Sequence, residues 1–195
     1  MRIEHISTVK FKEIPKQTIH FTPKVRTYCQ MAYPDHPQGC PNYNQSPLCP
    51  PQSPYLENVI VGDASKYQFF YLLYIDIDFQ RYKDQMLKEH PHWSDRQLNN
   101  VLYWQNQAKK ILKDHLAYIT PNDYELLGCG SGFGDTCYSM ESAGINVIST
   151  LQRNDIPIQA RPTTNRILTC LLYAKHPLTY QKPKKATALT QFFSK

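Results

Sequence analysis

Hydrophobic positions are unevenly spread along the chain. Over the first 56 residues they settle into no period. Pro15, Pro23, Pro34, Pro37, Pro41, Pro47, Pro50, Pro51 and Pro54 follow closely, each removing a backbone donor and fixing φ at about −65°. Regular structure is expected to be scarce there. From Glu57 the texture changes: Asn58–Val61 and then Tyr67–Phe79 are dense in β-branched and aromatic residues, which predicts buried strands. Ser94 followed by Gln97 reads as a capping box, and Leu98, Val101, Leu102, Ala108, Ile111, Leu112 and Leu116 recur at helical spacing. The pattern predicts one long amphipathic helix ending before Pro121. Tyr124–Leu127 reads as a short strand, Ser139–Ala143 as a short helix stopped by Gly144, Ile145–Leu151 as strand or helix, and Ile167–Tyr173 as a last strand.

Alternating strands and helices predict an α/β or α+β fold, with a mixed sheet, a long amphipathic helix and an irregular, proline-rich, metal-binding N-terminal region. One domain is expected over residues 1–179, its cysteine- and proline-rich loop region at 25–56. Residues 180–195 read as a flexible basic tail. At 195 residues, with 41% apolar and 12% aromatic positions, the chain can bury one core, so a wholly disordered chain is excluded. Twenty-two Lys and Arg against 16 Asp and Glu give a formal charge of +6, which suits an anionic partner. The run Phe69–Ile75 is far shorter than the roughly 20 residues that span a bilayer. The first residues lack the basic-then-apolar pattern of a secretory leader, so a soluble, intracellular protein with six free thiols is expected.

Those thiols carry the clearest chemistry. Cys29, Cys40 and Cys49 lie in the proline-rich region, and Cys129 and Cys137 flank a loop in the second half. Sulfur is a soft ligand, and four thiolates complete a tetrahedral zinc site or an iron–sulfur cubane. Five cysteines therefore compete for four places. A proline-broken loop that is ordered needs something to hold it, and ligand bonds can replace missing ladder hydrogen bonds. The glycines of Gly128–Cys137 offer bare backbone N–H groups to cluster sulfides; a phosphate-cradling loop is the rival, without the Lys-Ser/Thr ending of a P-loop. Cys170, in the apolar run Ile167–Leu172, reads as a small packed hydrophobe. His36 is a ligand or proton carrier, or a solvated loop histidine.

Three segments also carry a resemblance: Val25–Cys29, then Gly39-Cys40-Pro41-Asn42-Tyr43 through Leu48-Cys49-Pro50-Pro51, and Ser139-Met140-Glu141-Ser142-Ala143-Gly144-Ile145-Asn146-Val147. Together they resemble a family of cysteine-rich, predicted metal-binding proteins of unknown function, over most of residues 25–150. The resemblance implies an iron–sulfur or zinc ligand, with Cys40 and Cys49 matching best. Gln30–Gly39 is an insertion relative to the family pattern, and the later cysteines are reduced to Cys129 and Cys137. One site is therefore expected, with three ligands from Cys29, Cys40 and Cys49 and a fourth from Cys129 or Cys137. The leading cofactor is an iron–sulfur cluster of the 4Fe-4S type, with zinc as the alternative. A cluster could be structural, or catalytic if one iron lacks a cysteine, which would make the protein an iron–sulfur enzyme acting on a sulfur-containing or nucleotide substrate.

Two further patterns point to partners. Asp76 and Asp78 are two apart on an expected strand, so both point the same way, as in carboxylate pairs that hold Mg²⁺ for phosphoryl transfer. The plainer alternative is a solvated strand end paired with Arg81 or Lys83. Lys184–Phe193 resembles the peptide by which replication and repair proteins bind the sliding clamp PCNA, which reads Gln-x-x-aliphatic-x-x-aromatic-aromatic. Leu189, Phe192 and Phe193 match the apolar positions, and Ala186 stands where the pattern has glutamine. The resemblance implies PCNA as partner and recruitment to DNA replication or repair; the alternative is that Phe192 and Phe193 fold back on the body. Tyr28, Tyr33, Tyr43, Arg26 and Arg161 would be candidates for a direct nucleic-acid face.

Overall fold

A computed structural model describes residues 3–32, 36–100, 103–130, 133, 137–158 and 164–183. A 3-10 turn, Ile3–Ile6, leads into β1 (Ser7–Glu13), followed by α1 (Lys24–Thr27) and α2 (Glu57–Ile60). Next come β2 (Phe69–Asp78), α3 (Phe79–Glu89), α4 (Asp95–Leu98) and α5 (Gln105–Leu116). The chain continues through β3 (Ile119–Thr120), β4 (Glu125–Leu127), α6 (Val147–Gln152), β5 (Asn165–Ala174) and β6 (Thr179–Tyr180). The fold is mixed α and β, as expected. Its main sheet, expected to be mixed, pairs antiparallel throughout in the order β1-β2-β5-β4, and β3 with β6 forms a separate two-stranded ribbon.

The central position of β2 and β5 explains their composition. A strand with a neighbour on each edge and a layer on each face has no solvated side, so apolar residues run on without alternation. On one face Tyr71, Leu73, Ile75 and Ile77 of β2 join Leu168, Cys170 and Leu172 of β5. Phe79, Tyr82 and Met86 of α3 and Ala108 and Leu112 of α5 pack over them. On the opposite face Phe70, Leu72 and Tyr74 meet Leu171, Tyr173 and Leu127. That face is covered mainly by irregular chain and short elements, through Ile14, Ile19, Phe21, Ile60, Met140, Ala143, Ile145 and Leu151.

Several elements differ from expectation. β1 lies within the stretch expected to be irregular; it precedes Pro15 and is an edge strand, with exposed Thr8 and Lys10 and half-buried Lys12 alternating with Val9 and Phe11. Asn58–Val61, expected as a strand, falls on α2, where Val59 is 55% exposed. The strand expected to reach Phe79 stops at Asp78, whose carboxylate accepts the Arg81 N–H at 2.9 Å and starts α3. The expected long helix is two shorter ones. The capping box at Ser94 and Gln97 is present, but Asn99 turns its side-chain amide onto the Asp95 carbonyl at 2.7 Å and α4 ends. Val101 and Leu102 lie outside the described residues. Ser139–Ala143 is a series of turns rather than a helix, and of the two options for Ile145–Leu151 the chain takes a helix, α6, capped by Asn146. Tyr180, placed in the tail by the sequence, pairs with Ile119 in the β3–β6 ribbon. No described helix is long and apolar enough to cross a membrane.

Candidate metal centre

The proline-rich segment folds by turns rather than ladders. Gly39, at φ +87°, lets the chain pass so close to Cys29 that a side-chain Cβ there would stand 2.4 Å from the Cys29 carbonyl oxygen. The approach lets the Cys40 N–H donate to that carbonyl at 2.7 Å, joining two cysteines eleven positions apart. Further on, the Tyr43 N–H donates to the Cys40 carbonyl at 3.0 Å, the Cys49 N–H to Ser46 at 3.0 Å and the Ser53 N–H to Cys49 at 2.9 Å. Asn44, with φ +57°, closes the segment by donating to Pro50 at 2.8 Å. Arg26 fastens it from outside, its guanidinium donating to the Ser53 carbonyl at 2.5 Å and to that of Pro51 at 3.3 Å. Beside Cys40 an open cleft of about 490 Å³ is bordered by His36, Gly39, Tyr43 and Gln45.

The segment docks on the turns Ser139–Gly144. The Ser53 hydroxyl donates to the Ser142 carbonyl at 3.2 Å, and the Leu56 N–H to that of Ala143 at 3.0 Å. Just before Ser142 and Ala143 in the chain stands Glu141, whose Oε2 is buried without a hydrogen-bond partner. Burial pushes the Cys29 thiol pKa up, and the neighbouring charges of Cys40, Cys49 and Glu141 push it the same way. Burial also raises Cys49, with Cys40 adding to the effect and the Ser46 hydroxyl opposing it. Glu141 is itself raised by burial, against its own N–H, the Ser139 hydroxyl and the charge of Lys109. Cys29 is thus the thiol that feels both of the other two thiols and the carboxyl.

The other three cysteines gather elsewhere. Cys129 and Cys137 pack into the core cluster on the α3–α5 face of the sheet, where Cys170 is fully buried. Burial and a side-chain hydrogen bond with Cys129 hold the Cys170 thiol well above its ordinary pKa. Cys137 is raised by burial and by Cys129, with Gly128 N–H and Lys113 opposing. Sequence reasoning read Cys170 as packing alone; the β5 register gives it thiol neighbours as well.

Among the described residues, no group of three or more His, Cys, Asp and Glu side chains is already disposed to hold an ion. The donor chemistry nevertheless fits a soft metal. Three thiols lie in a segment with no disulfide to hold it, next to a buried carboxylate oxygen that has no partner.

The acidic pair is occupied structurally. Asp76 binds Lys10 at 3.3 Å and accepts from Asn165 at 2.7 Å, so its partners are neither Arg81 nor Lys83; Asp78 caps α3. Arg26 is bound into the loop, and Tyr28 is exposed. Tyr33, Arg161, Ala186, Leu189, Phe192 and Phe193 lie outside the described residues. Glu141 is the residue that sequence reasoning passed over. Its signal was a lone acid in a turn whose Met140 and Ala143 pack in the core.

No curated protein and no solved structure matches the chain. The sequence model of the predicted metal-binding proteins DUF2284 matches residues 12–173, a span holding all six cysteines and Glu141. The chain therefore belongs to the DUF2284 family of predicted metal-binding proteins.

Proposed function

We propose that the protein holds one thiolate-bound metal centre, an iron–sulfur cluster of the 4Fe-4S type, through Cys29, Cys40 and Cys49. The observation that carries this reading is the backbone approach of Cys40 to Cys29 in a segment shaped by turns that also bears Cys49, where metal bonds would replace absent ladder hydrogen bonds. When bound, the group would supply a staple for the loop, or an open iron for a sulfur-containing or nucleotide ligand entering by the cleft beside Cys40 and His36. A single zinc ion is the second reading, favoured by the lone carboxylate among the thiols, since a mixed sulfur and oxygen set suits one four-coordinate ion. Anaerobic purification with an absorption spectrum and metal analysis separates them. A broad band near ~400 nm with several irons per chain supports the cluster, and about one zinc without colour supports the ion. Metal-free protein that takes up neither refutes both.

The C-terminal resemblance carries a second proposal, recruitment to replication or repair by PCNA. Ala186, Leu189, Phe192 and Phe193, which carry that resemblance, lie outside the described residues. Deleting residues 186–195 is expected to abolish clamp binding while preserving fold and metal content. Equal clamp affinity with and without them would refute the proposal.

A further inference from the structure

Five buried polar side-chain atoms among the described residues have no hydrogen-bond partner, and Glu141 Oε2 is the only carboxylate oxygen among them. An ionised carboxylate is an acceptor at every lone pair, so burial without a donor is costly unless a cation takes the place of the donor. The turn that carries Glu141 is also where the cysteine segment is fastened, through Ser53 to Ser142 and Leu56 to Ala143. These two bonds, at Ser142 and Ala143 just after Glu141, hold its turn against Ser53 and Leu56, which follow the segment that bears Cys29, Cys40 and Cys49.

We propose that Glu141 is the fourth donor to the metal held by Cys29, Cys40 and Cys49, with Oε2 as its ligand atom. The inference rests on the single-ion reading above and gives to Glu141 the place that the sequence left to Cys129 or Cys137. Those two cysteines lie in the α3–α5 core cluster with Cys170. A set of three thiolates and one carboxylate oxygen suits a thiophilic, four-coordinate cation.

The test uses the full-length, metal-free protein titrated with cobalt(II), comparing wild type, C40S, E141Q and the double variant C129S/C137S. Wild type is expected to develop the thiolate-to-cobalt charge-transfer band and the visible bands of a four-coordinate ion, and C40S to lose part of the charge transfer. E141Q should keep the charge-transfer band, change the visible bands and bind about 100-fold more weakly, since loss even of an outer-shell partner costs 10–100-fold. C129S/C137S should titrate like wild type. Absence of the charge-transfer band in wild type would defeat the single-ion reading itself. A normal wild-type titration with E141Q indistinguishable from it, or with C129S/C137S losing charge transfer, would overturn the assignment of Glu141 alone. Thermal unfolding guards against a folding defect: E141Q should be at least as stable as wild type without metal and less stable with it. Lower stability in the metal-free form would mark a structural role and overturn the proposal.

Discussion

Gly144→Ala is expected to be strongly destabilising beside the cysteine segment, and the structure gives its size. Gly144 sits at φ +103°, and a Cβ there would stand 2.2 Å and 2.4 Å from Tyr55 Cε2 and Cδ2. The backbone alone costs about 1–2 kcal/mol for an L-residue. The Tyr55 ring must also leave its place. It then loses an edge-to-face contact with Phe21, at 6.0 Å and 83°, worth about 1 kcal/mol. The 2.7 Å hydrogen bond from its hydroxyl to Glu57 goes too, about another 1 kcal/mol. The total is roughly 3–4 kcal/mol. Gly130→Ala is the control, because Gly130 also has a positive φ, +87°, but an added Cβ meets nothing within 4 Å. It should cost only the backbone share, about 1–2 kcal/mol. Urea unfolding followed by circular dichroism reads both. With m of about 2 kcal/mol/M, the midpoint should fall by about 1.5–2 M for Gly144→Ala and by less than about 1 M for Gly130→Ala. Equal midpoints for the two variants would show that the Tyr55 contact does not hold the turn in place.

Two pH effects follow. Cys29 and Cys49 have pKa values raised above 9.0, so both thiols are protonated in the metal-free protein at neutral pH. Metal binding should release about two protons from them and tighten as pH rises toward those raised values; calorimetry in buffers of different ionisation enthalpy counts the protons, and no buffer dependence would refute it. His115 is shifted the other way, its pKa lowered from 6.5 by burial, with Lys182 adding to the shift, Asp114 opposing it and Nδ1 2.5 Å from the Tyr180 hydroxyl. Between its folded-state pKa and 6.5 the unfolded chain binds more protons, so stability falls as pH drops through that window. His115→Gln should lack this step, and an unchanged pH profile in the variant would contradict the burial argument.

The strands of the main sheet's centre were legible because burial on both faces imposes a composition that no other element shares. β2 (Phe69–Asp78) and β5 (Asn165–Ala174) each end within two residues of the strands expected at Tyr67–Phe79 and Ile167–Tyr173. α3 was hidden by its own start. Phe79 continues the strand's composition, and the boundary depends on Asp78 turning from strand residue to cap. β1 carries only Val9 and Phe11 as alternating apolar positions, a weak signal beside a run of prolines. The cysteines were legible as chemistry but not as a partition. Spacing along the chain separates Cys29, Cys40 and Cys49 from the rest, whereas placing Cys170 beside Cys129 requires the pairing of β4 with β5, a contact across more than 40 residues.

The metal segment and the core should separate energetically. The loop-covered face of the sheet is sealed by Ile14, Ile19 and Phe21 before the cysteine segment and by Tyr55, Leu56 and Ile60 after it. Residues 28–49 contribute no large side chain to either core cluster among those described, and what fixes them is turn hydrogen bonds and Arg26. Burial of apolar surface is the main source of cooperativity, so a segment that supplies none can open alone. Chelation should therefore abolish hydrogen-exchange protection at the Cys40, Tyr43 and Cys49 amides while leaving Leu72, Leu73 and Cys170 protected near the global limit. Circular dichroism should change little. If removal of metal instead melts β2 and β5 together with the loop, the centre is part of the folding core, and the division drawn from the two clusters is wrong.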